Sequence, residues 1–313
     1  MLAHGCNDMS LFDYPSRAAW QAVLAAFGLA YGMLALLGIA IALPPLLFLG
    51  SVVAALLAVA LVYTRWRKEP DLAACAMGTA FLLAMAASAG VLTYPLAAVS
   101  GSLRDGEFMA FERALGFDWP EVANALAARG RLQLAWEIVY ESSLLQMVIT
   151  VIVLSFAGLR QRLADYLQLL FLSLVVTAAL SCLLPAVGPI SSYHLASAAT
   201  AGLGDAGLRH LADFFALREG GFALFDLYKM EGIITFPSYH CVLAVLTAWA
   251  LWPVRFAGRA ALALNALVIV STIPQGGHYL ADMCVGTAIA VLGLVLSQMP
   301  RGHARALVLA RAG

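Results

Sequence analysis

Two short stretches near the C-terminus gather the reactive side chains of this chain: Phe236-Pro237-Ser238-Tyr239-His240 and Gly276-Gly277-His278-Tyr279-Leu280-Ala281-Asp282. Two histidines and a carboxylate suffice for phosphoryl transfer when one imidazole attacks phosphorus and the other protonates the departing oxygen. His278 and Asp282 stand four residues apart, so in a helix they are neighbours on one face. The carboxylate can then accept from one ring nitrogen, fix the tautomer and leave the other nitrogen to attack. Pro237 followed by an apolar run predicts the first turn of a helix. Ser238 and His240 would then lie where free backbone N–H groups and the positive dipole end favour an anion. Gly276 and Gly277 let backbone approach a ligand closely. No metal is required, provided cations or backbone donors neutralise the equatorial oxygens of phosphorus.

The elements that must position these residues are apolar. Of 313 residues, 63% are hydrophobic and 12% charged, where a soluble domain carries about 25% charged residues. Mean hydropathy is +0.89. The chain therefore reads as an all-α, polytopic membrane protein. On the criterion of about 20 apolar residues per crossing, about eight spans are expected, at 18–42, 46–63, 72–97, 132–157, 166–184, 239–253, 260–274 and 279–299. Residues 1–100 would form N-terminal transmembrane helices and 101–313 a catalytic membrane domain. The N-terminus has no basic region, early apolar run or small-residue cleavage site, so the first span is expected to be retained.

Basic residues in short loops set orientation. Arg65, Arg67 and Lys68, then Arg160 and Arg162, then Arg255 and Arg259, then Arg301, Arg305 and Arg311 all fall on one side of these spans. That side would be cytoplasmic, with the long segments 98–131 and 185–238 outside. His240, His278 and Asp282 would meet at the same outer surface. The outer segments mix aromatic residues with charges and read as interfacial helices, with Phe108, Phe111, Phe117 and Trp119 at the headgroup level. The formal net charge is zero, so a nucleic-acid partner is not expected.

The motifs resemble those of the type 2 phosphatidic acid phosphatase superfamily. Phe236 to His240 is similar to its Pro-Ser-x-His motif, and Ser271-Thr272 through Asp282 to its Ser-Arg-x5-His-x3-Asp motif. The resemblance implies a membrane-embedded, metal-independent helical enzyme without a cofactor. It also implies His278 as nucleophile, Asp282 as its orienter, His240 as general acid and Ser238 as phosphate ligand. Two features depart from the pattern. Thr272 stands where the superfamily has arginine, and no Lys-x6-Arg-Pro motif occurs upstream. The Ser-Thr form is similar to the inositol phosphorylceramide synthase branch, whose members pass a phospho-headgroup from lipid to lipid. The donor would be a lipid phosphate or phospholipid, and the acceptor a lipid or water. The composition fits a bacterial inner membrane with the site facing the periplasm.

With two expected cations missing, Arg218 and Lys229 in the segment leading to Pro237 are the candidate replacements, with Gly277 as a backbone contact for phosphate. Pro185, Gly188 and Pro189 could border the pocket or simply end a helix. Glu137 and Glu141 share a face of the fourth span and should meet protein or water, as should Gln146. They could line a headgroup pocket or bond between helices. His194 and His210 read as surface residues. Cys6, Cys75, Cys182, Cys241 and Cys284 are scattered singly and read as small buried apolar residues. Gly28 and Gly32 permit a close helix contact. A reading of another class is a transporter or scaffold that keeps the fold without catalysis, for which Glu137 and Glu141 would suit a solute path. A soluble vanadate-type haloperoxidase shares the motif order but not the transmembrane spans.

Overall fold

The computed structural model describes residues 15–126, 131–193, 203–204 and 206–298. Helix α1 (Arg17–Leu36) is capped by Ser16, whose hydroxyl accepts the Ala19 N–H at 3.2 Å, one of the four donors a helix start leaves without a partner. After strand β1 (Ala40–Ile41), helix α2 (Leu43–Val62) starts on Pro44 and Pro45 and ends in a π turn over Tyr63–Arg67. Helix α3 (Pro70–Met85) passes through a second π segment, Ala86–Gly90, into α4 (Val91–Ala98). Two short helices follow, α5 (Asp105–Ala114) and α6 (Trp119–Leu126), then the long pair α7 (Arg131–Phe156) and α8 (Arg160–Leu183). The segment after α8 carries α9 (Pro189–Ser192), α10 (Ala206–Arg209), α11 (Leu211–Glu219) and strand β2 (Leu224–Phe225). β2 pairs in parallel with β1. Helices α12 (Tyr239–Leu251), α13 (Arg255–Ser271) and α14 (Leu280–Gln298) complete the bundle.

Among the described residues, six stretches are long and apolar enough to cross a membrane: Arg17–Leu36, Leu43–Arg67, Pro70–Ala98, Arg131–Phe156, Arg160–Leu183 and Leu280–Gln298. The other two expected spans correspond to α12 and α13, of 13 and 17 residues. The difference has a local cause. Trp252 and Pro253 end α12, and α13 already starts at Arg255, so Arg255 and Arg259 are helical residues. Hydropathy discards those charged turns and places the span five residues late. At 1.5 Å per residue α12 is about 20 Å long.

The core lies where α3, α7, α8 and α12 meet, around Phe81, Leu154, Leu167, Leu170, Val242 and Leu246. Polar groups inside it are paired, as burial requires. The Tyr166 hydroxyl meets Thr247 Oγ1 at 2.9 Å, and Asn265 donates to Gln146 Oε1 at 2.7 Å between α13 and α7. For Gln146 the interhelical bond is thus realised. Arg162 closes the far end of α12. Its guanidinium lies 4.1 Å over the Trp249 ring and donates to the carbonyls of Trp249 and Ala250 in the last turn, where helix carbonyls run short of backbone donors.

At the near end, α14 crosses α12 at Gly286. A Cβ there would stand 2.2 Å from the Ser238 carbonyl oxygen, so only glycine allows the crossing. Gly28 and Gly32 differ: among the described residues no atom lies within 4 Å of a Cβ placed on either. Burial of the cysteines is uneven. Cys241 is fully buried, Cys75 and Cys182 half-buried and Cys284 exposed, while Cys6 lies outside the described residues.

Candidate active site

Ser238 caps α12 from an extended conformation (φ −68°, ψ 108°) and the helix starts at Tyr239. Pro237 therefore precedes the cap instead of opening the first turn, and the Phe236–Pro237 bond is cis. Ser238 N–H donates to the Asp282 carbonyl at 3.0 Å, which ties the two motifs through backbone. The Ser238 hydroxyl is buried and has no hydrogen-bond partner. A buried hydroxyl without a partner is costly, and this one sits at a helix N-terminus, where an anion is favoured.

His278 differs from expectation in a similar way. α14 begins at Leu280, so His278 lies in the extended lead-in and not on the helix face. It still meets Asp282, with Nδ1 to Oδ2 at 3.3 Å. The same Oδ2 accepts the Tyr279 N–H at 2.8 Å, as the third helical residue does in a capping box. One carboxylate oxygen thus serves both the helix start and the imidazole. With Nδ1 turned to Asp282, Nε2 is the nitrogen left for chemistry. The His240 ring stands 6.4 Å from that of His278, centroid to centroid, and stacks on Tyr140 at 4.0 Å. His240, His278, Asp282 and Ser238 are brought together.

The turn before His278 is tight. Gly276 and His278 both donate N–H to the Thr272 carbonyl, at 3.1 and 3.3 Å. A Cβ on Gly276 would meet His278 Cδ2 and Tyr140 Cε2, each at 2.9 Å. Gly277 has a positive φ of 58° and packs on Ile190. Gly188 approaches it from the other side, where a Cβ would lie 2.8 Å from the Gly277 oxygen. The loop through Pro185, Gly188 and Pro189 therefore borders the site.

Residues that sequence reasoning left out hold this turn from above. Asp105 is buried and accepts from Tyr279 Oη at 2.9 Å and from the N–H groups of Val187 and Gly188 at 3.1 and 3.0 Å. Glu112, also buried, accepts the Leu280 N–H at 2.7 Å and the Tyr193 hydroxyl at 3.2 Å. Burial pushes the Glu112 carboxyl up to about 7; the Leu280 and Tyr193 donors oppose that rise and the nearby Asp282 charge adds to it. Trp119 Nε1 donates to the His278 carbonyl at 2.9 Å. Asp105, Phe108 and Glu112 form the buried face of α5, a three- and four-residue spacing readable in sequence. Phe108 and Trp119 are accordingly buried, against the headgroup placement expected of them, while Phe111 is 44% exposed. They roof the site because their rings pack on Phe236 and Tyr193 respectively, at 4.6 and 6.0 Å.

A family model described as the PAP2 superfamily matches residues 106–296, well over half of the chain. The chain belongs to the PAP2 superfamily. No curated protein and no solved structure is a match for it. Membership supports chemistry of the phosphatase and phosphotransferase kind, acting on lipid phosphates from within a membrane. The PAP2 match takes in both motifs together with Glu112, Trp119 and Tyr140, and begins one residue after Asp105.

Other expected residues lie apart from the PAP2 site. Arg218 donates to the Gly101 carbonyl at 2.7 Å and to the Ser100 hydroxyl, and its guanidinium lies over Phe214. Lys229 is exposed, beside Tyr228, whose ring rests against Phe48 of α2. Glu137 is exposed, and Glu141 pairs with Arg209 at 2.9 Å. His210 is buried instead of lying at the surface, with Nε2 3.4 Å from the Thr235 hydroxyl and its ring edge toward Phe214. His194 lies outside the described residues. Among those residues, no group of three or more His, Cys, Asp or Glu is placed to hold a metal ion.

Proposed function

We propose that this PAP2-superfamily chain is a lipid phosphotransferase or phosphatase working through a phosphohistidine on His278. The observation that carries the reading is the pair of imidazoles with centroids 6.4 Å apart, one backed by Asp282 and the other at a helix start beside an unpartnered serine hydroxyl. The phosphate of a lipid sits between the rings, held by Ser238 Oγ and the first-turn N–H groups of α12. His278 Nε2 attacks phosphorus as the bond to the lipid oxygen breaks, and His240 gives its proton to that oxygen. Asp282 stabilises the cationic ring that forms. In the second half an acceptor hydroxyl, on a lipid or on water, gives its proton to His240 and attacks phosphorus. His278 is released.

The Ser271-Thr272 form of the last motif favours headgroup transfer of the inositol phosphorylceramide synthase kind over plain hydrolysis. The basic clusters on the opposite side of the spans favour a site that faces the periplasm of a bacterial inner membrane, with residues 101–313 as the catalytic domain.

The test is phosphate release from phosphatidic acid by the detergent-purified chain in EDTA, beside His278→Ala, with headgroup lipids followed by mass spectrometry. Release by wild type alone establishes a metal-independent phosphatase. A new headgroup lipid that depends on His278, without release, establishes the transferase. Equal behaviour of wild type and His278→Ala in both assays refutes the reading.

A further inference from the structure

The two imidazoles are held in different ways. His278 is tied through Nδ1 to Asp282 at 3.3 Å, whereas neither nitrogen of the His240 ring makes a hydrogen bond with the described residues. The last side-chain torsion of a histidine is broad and roughly two-fold, so the helix start does not by itself set the plane of that ring. What meets it is Tyr140 of α7, stacked with centroids 4.0 Å apart and planes 23° from parallel. Tyr140 is buried, and α7 is fixed against α13 by the bond from Asn265 to Gln146 Oε1 at 2.7 Å. The same tyrosine ring also reaches the other motif. A Cβ on Gly276 would stand 2.9 Å from Tyr140 Cε2 and 2.9 Å from His278 Cδ2, so the edges of both rings converge on that glycine. One ring thus lies flat on His240 and edge-on to the turn that carries His278, whose own ring is 6.4 Å from that of His240.

We propose that Tyr140 is a positioning residue of this site: its face fixes the plane of the His240 imidazole and its edge, at Gly276, fixes the spacing from His240 to His278. The inference rests on the reading of His240 as general acid and His278 as nucleophile. A general acid works only with its proton within hydrogen-bond reach of the departing oxygen, and an error of about 1 Å at a reacting group costs about 10²-fold in rate. A hydrogen-bonded partner is the usual way to orient an imidazole, but it occupies one nitrogen. Stacking orients the ring and leaves both nitrogens to the substrate and the acceptor. The aromatic face also attracts the positive charge that His240 carries before it gives up its proton, which an aliphatic side chain would not do. Tyr140 does for His240 by a ring face what Asp282 does for His278 by a carboxylate.

A tyrosine that only filled space would affect every substrate alike. The experiment is steady-state turnover by the detergent-purified full chain of phosphatidic acid, read as phosphate release and headgroup exchange, and of a nitrophenyl phosphate ester. The proteins are wild type, Tyr140→Leu, Tyr140→Met, Tyr140→Phe, His240→Gln, the Tyr140→Leu/His240→Gln double variant and His278→Ala, with thermal unfolding on the same samples. Tyr140→Leu should lower kcat on phosphatidic acid about ten- to a hundredfold with KM little changed, and far less on the nitrophenyl ester, whose oxygen departs without needing a proton. Tyr140→Met, which can fill the same gap, should behave likewise and serves if Tyr140→Leu melts early. Tyr140→Phe keeps the ring and should recover most of the loss. In the double variant Tyr140→Leu should add almost nothing to the effect of His240→Gln, because its effect passes through that imidazole. An unchanged kcat in Tyr140→Leu and Tyr140→Met overturns the assignment, as does an equal loss in Tyr140→Phe, an equal loss on both substrates, or a full further loss in the double variant. Each of these leaves the phosphohistidine reading standing. A wild type whose turnover matches that of His278→Ala sinks that reading and this one with it.

Discussion

Glu112 on α5 accepts the backbone N–H of Leu280, 168 residues away along the chain, at 2.7 Å. Leu280 opens α14 and Asp282 is two residues on, so a carboxylate from α5 anchors the turn that carries His278. With Asp282 on the Tyr279 N–H and Glu112 on the Leu280 N–H, the start of α14 is served by protein carboxylates. The start of α12 differs: its buried Ser238 hydroxyl has no hydrogen-bond partner among the described residues.

The Glu112 carboxyl gives the fold a pH dependence of defined sign. Its value in the fold is about 7 against an ordinary 4.5, so the folded state holds the proton more tightly than the unfolded chain. The contribution to stability is full below about 4.5 and is lost as pH rises toward about 7, with a slope of at most about 1.4 kcal/mol per pH unit,. Glu112→Gln keeps an acceptor for Leu280 and cannot titrate. Thermal unfolding in detergent across this range should flatten in Glu112→Gln; parallel curves for the two proteins would contradict the assignment.

Gly276→Ala should slow the reaction with little effect on substrate affinity. The added methyl meets both His278 and Tyr140 at 2.9 Å, so His278, the Tyr140 ring that stacks on His240, or both must move. A displacement of about 1 Å at a reacting group can cost about 10²-fold in rate. The split between kcat and KM is the measurement, and an unchanged kcat would count against the placement of His278.

His240→Gln retains the size and much of the packing on Tyr140 but cannot supply an acidic proton. A loss of about 10²–10⁴-fold in kcat is expected, smallest for substrates with a good leaving group such as a nitrophenyl phosphate ester. A loss independent of the leaving group would remove His240 from the role of general acid.

Gly286→Leu should separate the two motifs. Even a Cβ at this position would be 2.2 Å from the Ser238 oxygen, and the bond from Ser238 N–H to the Asp282 carbonyl would be lost with it. The expected outcome is lower thermal stability and no activity, whereas Gly293→Ala, which meets only the Leu169 side chain at 3.2 Å, should cost far less. Comparable melting curves for the two variants would refute the close crossing.

The helical class and both motifs were legible because their signals are local: apolar runs of crossing length, and five or seven residues in which histidine, serine and aspartate stand together. Asp105, Glu112 and Trp119 were not, because their partners Tyr279, Leu280 and His278 lie 174, 168 and 159 residues away. Their own helices read as interfacial because buried aromatic residues and lipid-facing ones have the same composition. The signal that existed was the shared face of Asp105, Phe108 and Glu112, with carboxylates where an interfacial helix would bury only apolar groups. Proline and serine misplaced the start of α12 by only two residues, and His278 meets Asp282 through a lead-in instead of a helical turn.

The length of α12 has a consequence of its own. Its inner end is pinned where Arg162 grips the last carbonyls, and its 13 residues rise about 20 Å through a hydrocarbon layer of about 30 Å. At that length α12 cannot bridge such a layer by itself, and the turn carrying Ser238 and His240 stands about 20 Å from the pinned end. The Arg162 clamp and the helix length together set how far the two motifs stand from the opposite end of the bundle.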